Sequence, residues 1–158
     1  MKKRGWIAIT IVLLDQLIKS YVRSCPQGEP FFEICGLFSL VHCTNTGAAF
    51  SLLTGRTMLL TLLSAALLSA IVAYASRQMN LSEAGWIALE GIVGGGVGNL
   101  LDRLIFSGVT DYIHLLFWDF PVFNLADAAI TCSAAALMVL LVTDKLEAAV
   151  EGKHGSDT

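Results

Sequence analysis

Long apolar runs separated by short polar stretches dominate this chain. Trp6 to Tyr21, Met58 to Ala75, Ala84 to Leu101 and Leu125 to Val142 are almost wholly apolar, and each approaches the roughly 20 residues that an α-helix needs to cross a bilayer. The pattern predicts four transmembrane helices, at about 6–21, 58–75, 84–101 and 125–142, with larger loops at 22–57 and 102–124. In the first loop, FFEICGLFSLVHCTNTGAAFS at 31–51 shows a period of two around Leu37 to Cys43, the mark of a short hairpin or small sheet. Val109 to His114 reads as a further short strand. The expected architecture is an all-α membrane protein of four transmembrane helices with a small β-sheet and loop subdomain on one side. Residues 1–143 form a single integral-membrane domain in this reading, and 144–158 a polar tail that frays.

Composition supports a membrane solvent and excludes an ordinary soluble core. Of 158 residues, 55% are hydrophobic and 15% charged, with a mean hydropathy of +0.69. Cytoplasmic flanks of membrane proteins carry excess Lys and Arg. Lys2, Lys3, Arg4, Arg77, Lys145 and Lys153 fall on one side of the four spans, and Arg23, Arg56 and Arg103 on the other. Both termini are therefore expected in the cytoplasm, and both large loops outside. A net charge of -3, with no basic patch interleaved with aromatics, gives no sign of nucleic-acid binding. Cys25, Cys35, Cys43 and Cys132 lack CxxC spacing and a His at ligand intervals, so no metal site and no cofactor are expected. A disulfide among the first three is possible, but small apolar packing is the simpler reading. The basic start, apolar run and VRSC at 22–25 imitate a secretory signal, but Asp15, Lys19 and Arg23 interrupt or follow the run too soon, and a retained helix is expected.

Polar residues inside such spans are costly and demand a reason. Asp15 and Lys19, four apart, share a helix face. They form either a polar lock to neighbouring helices, with Lys19 snorkelling outward, or part of a catalytic site. Gly91 with Gly95 and Gly94 with Gly98 make two GxxxG pairs suited to close helix packing. GGGVGN lacks the GxGxxG and GK[ST] features of a nucleotide loop. Glu90 is expected buried in protein or protonated. Phe31, Phe32, Phe38 and Phe50, and later Phe117, Trp118, Phe120 and Phe123, suit the membrane interface. Asn124 followed by Asp127 resembles an N-cap with an acid at the third helical position. His42 and His114 are expected to pack, and Thr46 and Ser51 lack an activating base.

Given the topology, Asn45, Asn99, Asp102, Arg103, Asp111, Asn124 and Asp127 all fall at outer helix ends or in outer loops. One site near the outer surface could collect them. DQLIK at 15–19, NTGAAF at 45–50, GGGVGNLLDR at 94–103, VTDYIH at 109–114 and FNLADAAI at 123–130 together resemble the successive motifs of the bacterial lipoprotein signal peptidases, or signal peptidase II. The resemblance covers about residues 6–143. It implies a four-helix aspartic endopeptidase of the inner membrane that cuts a prolipoprotein before a diacylglyceryl-modified cysteine. Asp111 and Asp127 match its catalytic aspartates, and Asn45, Asn99, Asp102, Arg103 and Asn124 match positions around its active site. It also implies membrane lipid as a partner, globomycin-type inhibitors in the same cleft, and an active site near the periplasmic face.

Chemistry agrees with that implication. Two carboxyl groups sharing a proton can activate water and protonate a leaving amine without metal, Ser or Cys. The helix dipole favours Asp127 as the ionised member, leaving Asp111 the more protonated. A competing reading is a small proton- or ion-coupled carrier using Asp15, Glu90, Asp111 and Asp127, although no internal repeat is present. A third is a structural membrane protein whose acids merely cap helices.

Overall fold

The computed structural model describes residues 5–47, 55–78 and 81–154, with side chains as far as Thr143 except that of Gln78. Lys2, Lys3, Arg4, Phe50 and Ser51, and the side chains of Lys145 and Lys153, lie outside the described residues. Helices α1 (Trp6–Arg23), α2 (Thr57–Gln78), α3 (Glu83–Phe106) and α4 (Leu125–His154) frame strands β1 (Pro30–Ile34), β2 (Phe38–Asn45) and β3 (Val109–Leu115). Each expected helix is present within a few residues at its start. Helix α4 runs without a break past 143 to His154, where Lys145 to Ala149 are good helix formers that propagate it.

Among the described residues, three helical segments, Thr57–Arg77, Glu83–Phe106 and Leu125–Thr143, are long and apolar enough to cross a membrane. Helix α1 carries Asp15, Lys19 and Arg23 over its 18 residues. The usual inside-out logic of a soluble core is inverted. Leu62, Leu67, Met138 and Val139 are exposed, whereas Asp15, Lys19, Asp102 and Asn124 are fully buried. Lys19 therefore does not snorkel outward, one of the two readings of its spacing with Asp15; its partners lie in the bundle.

Helix α3 is the hub, with 44% of its span buried against 6% for α4, and it packs on α1, α2 and α4. Its glycines make this possible. A Cβ at Gly94 would lie 2.8 Å from the Ala8 carbonyl oxygen, and one at Gly98 2.6 Å from Asp15 Oδ2, both on α1. On the other face, a Cβ at Gly91 would strike Ser133, and one at Gly95 would lie 2.5 Å from the Ala126 oxygen, both on α4. The two GxxxG pairs thus serve two different helices. Glu90 links α3 to α1 as well. Its carboxylate accepts the Gly5 N–H at 2.7 Å and the Ile7 N–H at 3.0 Å, capping a helix whose N-cap residue has no side chain.

The sheet is antiparallel in the order β1-β2-β3. An irregularity between Leu40 and Cys43 resets the register so that Cys43 faces Asp111. At the open edge of β3, the Phe123 carbonyl accepts the N–H groups of Tyr112 and Ile113, and the Phe123 N–H donates to the Ile113 oxygen. That staple brings the start of α4 against β3.

Candidate active site

Four unsatisfied N–H groups open any α-helix, and at α4 side chains take the first three. Tyr112 Oη accepts the Leu125 N–H at 3.1 Å. Asp15 Oδ1 accepts that of Ala126 at 3.2 Å, and Asn124 Oδ1 that of Asp127 at 2.9 Å. Asp127 Oδ2 in return accepts the Asn124 backbone N–H at 3.2 Å. This reciprocal capping box is the one the spacing of Asn124 and Asp127 suggests. It fixes the Asp127 carboxyl at the helix mouth.

Asp111 is 3% exposed. Asn124 Nδ2 donates to its Oδ1 at 2.6 Å and Asn45 Nδ2 to its Oδ2 at 3.0 Å. Asn99 Nδ2 donates to Asp127 Oδ1 at 2.7 Å. Asn124 Nδ2 also donates to Asn99 Oδ1 at 3.2 Å. Asn124 therefore touches both acids, its amide on the Asp111 carboxylate and its backbone N–H on that of Asp127. Burial, followed by the negative charge of Asp127, pushes the Asp111 carboxyl up to about 6, against the pull of the Asn45 and Asn124 hydrogen bonds and the Lys19 ammonium. Burial also pushes the Tyr112 hydroxyl up to about 12, so it stays neutral at its cap.

Amide orientation here is dictated from behind. The Lys19 ammonium can only donate, and it does so to Asn99 Oδ1 at 2.8 Å. The Asn99 amino group must then face Asp127. Asn124, whose oxygen is committed to the Asp127 N–H, must turn its amino group to Asp111. Lys19 itself is held by Asp15 Oδ2 at 2.9 Å and Asp102 Oδ2 at 3.4 Å. Asp102 further accepts from Gln16 Nε2 at 3.0 Å, the Thr110 N–H at 2.9 Å and Arg23 Nη1 at 3.4 Å. No buried side-chain polar atom among the described residues lacks a partner, as a buried ionic network requires if it is not to destabilise the fold.

A cleft of about 480 Å³ opens over the pair, with Asn45, Asn99, Arg103, Asp111 and Asp127 on its polar side and Leu115, Trp118, Phe123 and Ile130 among its apolar walls. Arg103 Nη1 donates to the Asn99 backbone carbonyl at 3.5 Å. The structure thus brings Asn45, Asn99, Arg103, Asp111 and Asp127 to one surface, with Asn124 buried between the acids. Asp15 and Asp102 do not line the cleft; they form the ionic network behind it. Sequence reasoning passed over Gln16, Thr110 and Tyr112. Gln16 stood inside DQLIK, and Tyr112 beside Asp111, but nothing in their spacing announced their partners. The four cysteines are free. An acid held near neutral beside a second carboxyl that accepts two hydrogen bonds from fixed donors has the parts for general acid and base catalysis.

Comparison with known proteins points the same way. The profile of the family described as Signal peptidase (SPase) II matches residues 7–143. A protein named lipoprotein signal peptidase from Streptococcus pneumoniae (strain ATCC BAA-255 / R6) is 34% identical over 150 residues, covering 92% of this chain and 98% of the relative. Its namesake from Streptococcus pyogenes serotype M1 is 36% identical over 144 residues, covering 89% and 95%. Two solved structures, each described as a bacterial membrane enzyme structure by the in meso method, superpose with TM-scores of 0.82 and 0.79 at 25% identity. They cover 92% and 91% of this chain, and 94% and 99% of their own.

Proposed function

Because this chain belongs to the signal peptidase II family, we propose that it removes signal peptides from diacylglyceryl-modified prolipoproteins with Asp111 and Asp127 as its water-activating pair. The observation that carries the reading is that Asn124 hydrogen-bonds both acids, which line one cleft. Asp127, accepting from Asn99 and from the Asn124 backbone, is the base. It takes a proton from a water molecule in the cleft as the oxygen attacks the scissile carbonyl. Asp111, neutral below about 6, donates its proton to the carbonyl oxygen. Collapse of the tetrahedral diol returns that proton to Asp111, while the proton on Asp127 passes to the leaving amine. Both carboxyls regain their starting states, and one water is added across the amide bond.

Helix α1 is the fourth crossing, with Asp15 and Lys19 turned into the bundle and the remaining surface, such as Ile9, Leu13 and Leu17, facing lipid. The Lys and Arg distribution supports both termini in the cytoplasm and the sheet, with the acids, at the outer face of the bacterial inner membrane. Trp118, Phe120 and Phe123 stack in sequence, with ring centroids 5.4 and 5.7 Å apart. They wall a cleft suited to a lipid-bearing residue and to globomycin-type inhibitors. A carrier reading loses its motive, because Asp15 and Glu90 are committed to a helix cap and an ion pair or to a cap alone.

The test is cleavage of a lipid-modified prolipoprotein by the purified enzyme in detergent. Asp111→Asn and Asp127→Asn should each lower kcat by about 10³-fold while leaving the unfolding temperature near or above that of the unaltered protein. Full cleavage by either variant would end the assignment.

A further inference from the structure

A second cleft, of about 490 Å³, adjoins the first. The two share Asn45, Asp111, Phe120, Pro121 and Val122 as a common wall, so they meet at Asp111. From there they diverge in chemistry. The first follows α4 along Ile130 and Cys132, the second runs beside the end of β2, at Cys43, Thr44, Thr46 and Gly47, and ends against Asp119. A polypeptide whose scissile bond lies at Asp111 has one arm in each.

We infer that the second cleft is the subsite for the polar chain that follows the modified cysteine, and that Asp119 makes it prefer a cationic over an anionic residue there. This rests on the assignment of Asp111 to catalysis. Lipid and signal segment belong to the membrane, and the chain after the cysteine is the arm that must leave into water. Asp119 is exposed, and has no hydrogen-bond or ion-pair partner among the described residues. Its place is nonetheless fixed. The Phe120 N–H donates to the Trp118 oxygen at 2.8 Å, a three-residue turn centred on Asp119, and the Trp118, Phe120 and Phe123 rings brace that turn. Among the described residues no Lys or Arg lines this cleft. Burial and the Asp111 charge push the Cys43 thiol up, so it adds no charge of its own. Both Asn45 side-chain groups are spent within the protein, on the Gly47 N–H and on Asp111, which leaves Asp119 as the charged side chain of this cleft besides Asp111.

The test uses full-length enzyme and synthetic diacylglyceryl prolipopeptides that differ only in carrying Lys, Gln or Glu two residues after the cysteine. For a solvated pair about 4 Å apart, kcat/KM should favour Lys over Gln by about fivefold and Gln over Glu by a similar factor. The preference should shrink as salt is raised. Asp119→Asn should abolish the Lys-to-Glu ratio. In addition, Thr46→Trp, which narrows the cleft, should slow the long peptides more than one amidated directly after the cysteine, and an equal loss for both overturns the placement of the polar chain in this cleft. Equal rates for all three peptides with the unaltered enzyme, or a ratio that survives Asp119→Asn, overturns the inference. Cleavage that survives Asp111→Asn instead overturns the catalytic assignment beneath it.

Discussion

Replacing Asn124 should move the pH dependence of cleavage in a direction that a merely structural residue would not. The Asn124 amino group supplies one of two amide hydrogen bonds to Asp111, at 2.6 Å, and hydrogen bonds to a charged acceptor contribute about 1.5–3 kcal/mol. Losing one favours the neutral carboxyl. At 1.36 kcal/mol per pH unit, Asp111 should titrate about 1 to 2 pH units above its present value. In the proposed mechanism the protonated Asp111 is required, so the descending limb of kcat/KM against pH, expected near about 6, should move alkaline by that amount. The plateau should fall about 10- to 100-fold as Asp127 loses its alignment. Two variants separate the causes. Asn124→Ala removes the cap on the Asp127 N–H as well, costing about 1 kcal/mol of stability. Asn124→Ser keeps a capping oxygen but cannot reach Asp111, so its unfolding temperature should hold while its limb moves. The assay is initial-rate cleavage of a lipid-modified peptide from pH 4 to 9 in detergent, with thermal unfolding alongside. A descending limb that stays in place in both variants would refute the reasoning, since Asp111 would then not be the acid being read.

Stability and glycine packing give two further tests. Asp111 titrates near 3.8 when unfolded and at about 6 when folded, so the unaltered protein loses stability as pH rises through that window and loses no more above it. Against Asp111→Asn, which cannot ionise, the gap should widen by up to about 3 kcal/mol between pH 4 and pH 7; a pH-independent gap in thermal unfolding would contradict the buried, destabilised carboxylate. Gly98→Ala places a methyl 2.6 Å from Asp15 Oδ2 in a fully buried ion pair, whereas Gly96→Ala meets only the end of the Leu68 side chain. The first should cost about 1–3 kcal/mol and depress cleavage, the second less than about 1 kcal/mol. Equal losses for the two would show that α1 is not locked to α3 as described.

The parts legible in the sequence were those set by local chemistry. Apolar runs marked the helices, alternation marked the strands near Leu37 to Cys43 and Val109 to His114, and residue spacing alone exposed the Asn124 and Asp127 cap and the two GxxxG faces. What escaped depended on facing. In a soluble helix the apolar stripe reveals which side is buried. In α1 the exposed Leu13 and Leu17 are as apolar as any core, so the sequence could not say that Lys19 points inward. Glu90 was equally opaque, because a backbone cap made across helices leaves no trace in local spacing. The Cys43 and Asp111 register depends on an irregularity between Leu40 and Cys43, and with it went any view of the second cleft.

The buried ions acquire a purpose when traced toward the reacting groups. An amide is ambiguous by nature, since its two ends differ only in which donates. In this site that ambiguity would be damaging, because an inverted Asn99 or Asn124 would point an oxygen at a carboxylate. Lys19 removes the choice for Asn99, and the Asp127 N–H removes it for Asn124. Lys19 is held inward by Asp15 and Asp102, which flank it, and Asp15 in turn holds the Ala126 N–H at the mouth of α4. The same carboxylate therefore fixes the helix that carries Asp127 and the ammonium that orients its hydrogen-bond donor. A buried ion pair is weak evidence for stability. Here its stronger effect is on geometry, and it explains why α1 retains Asp15 and Lys19 at full burial while neither touches the cleft.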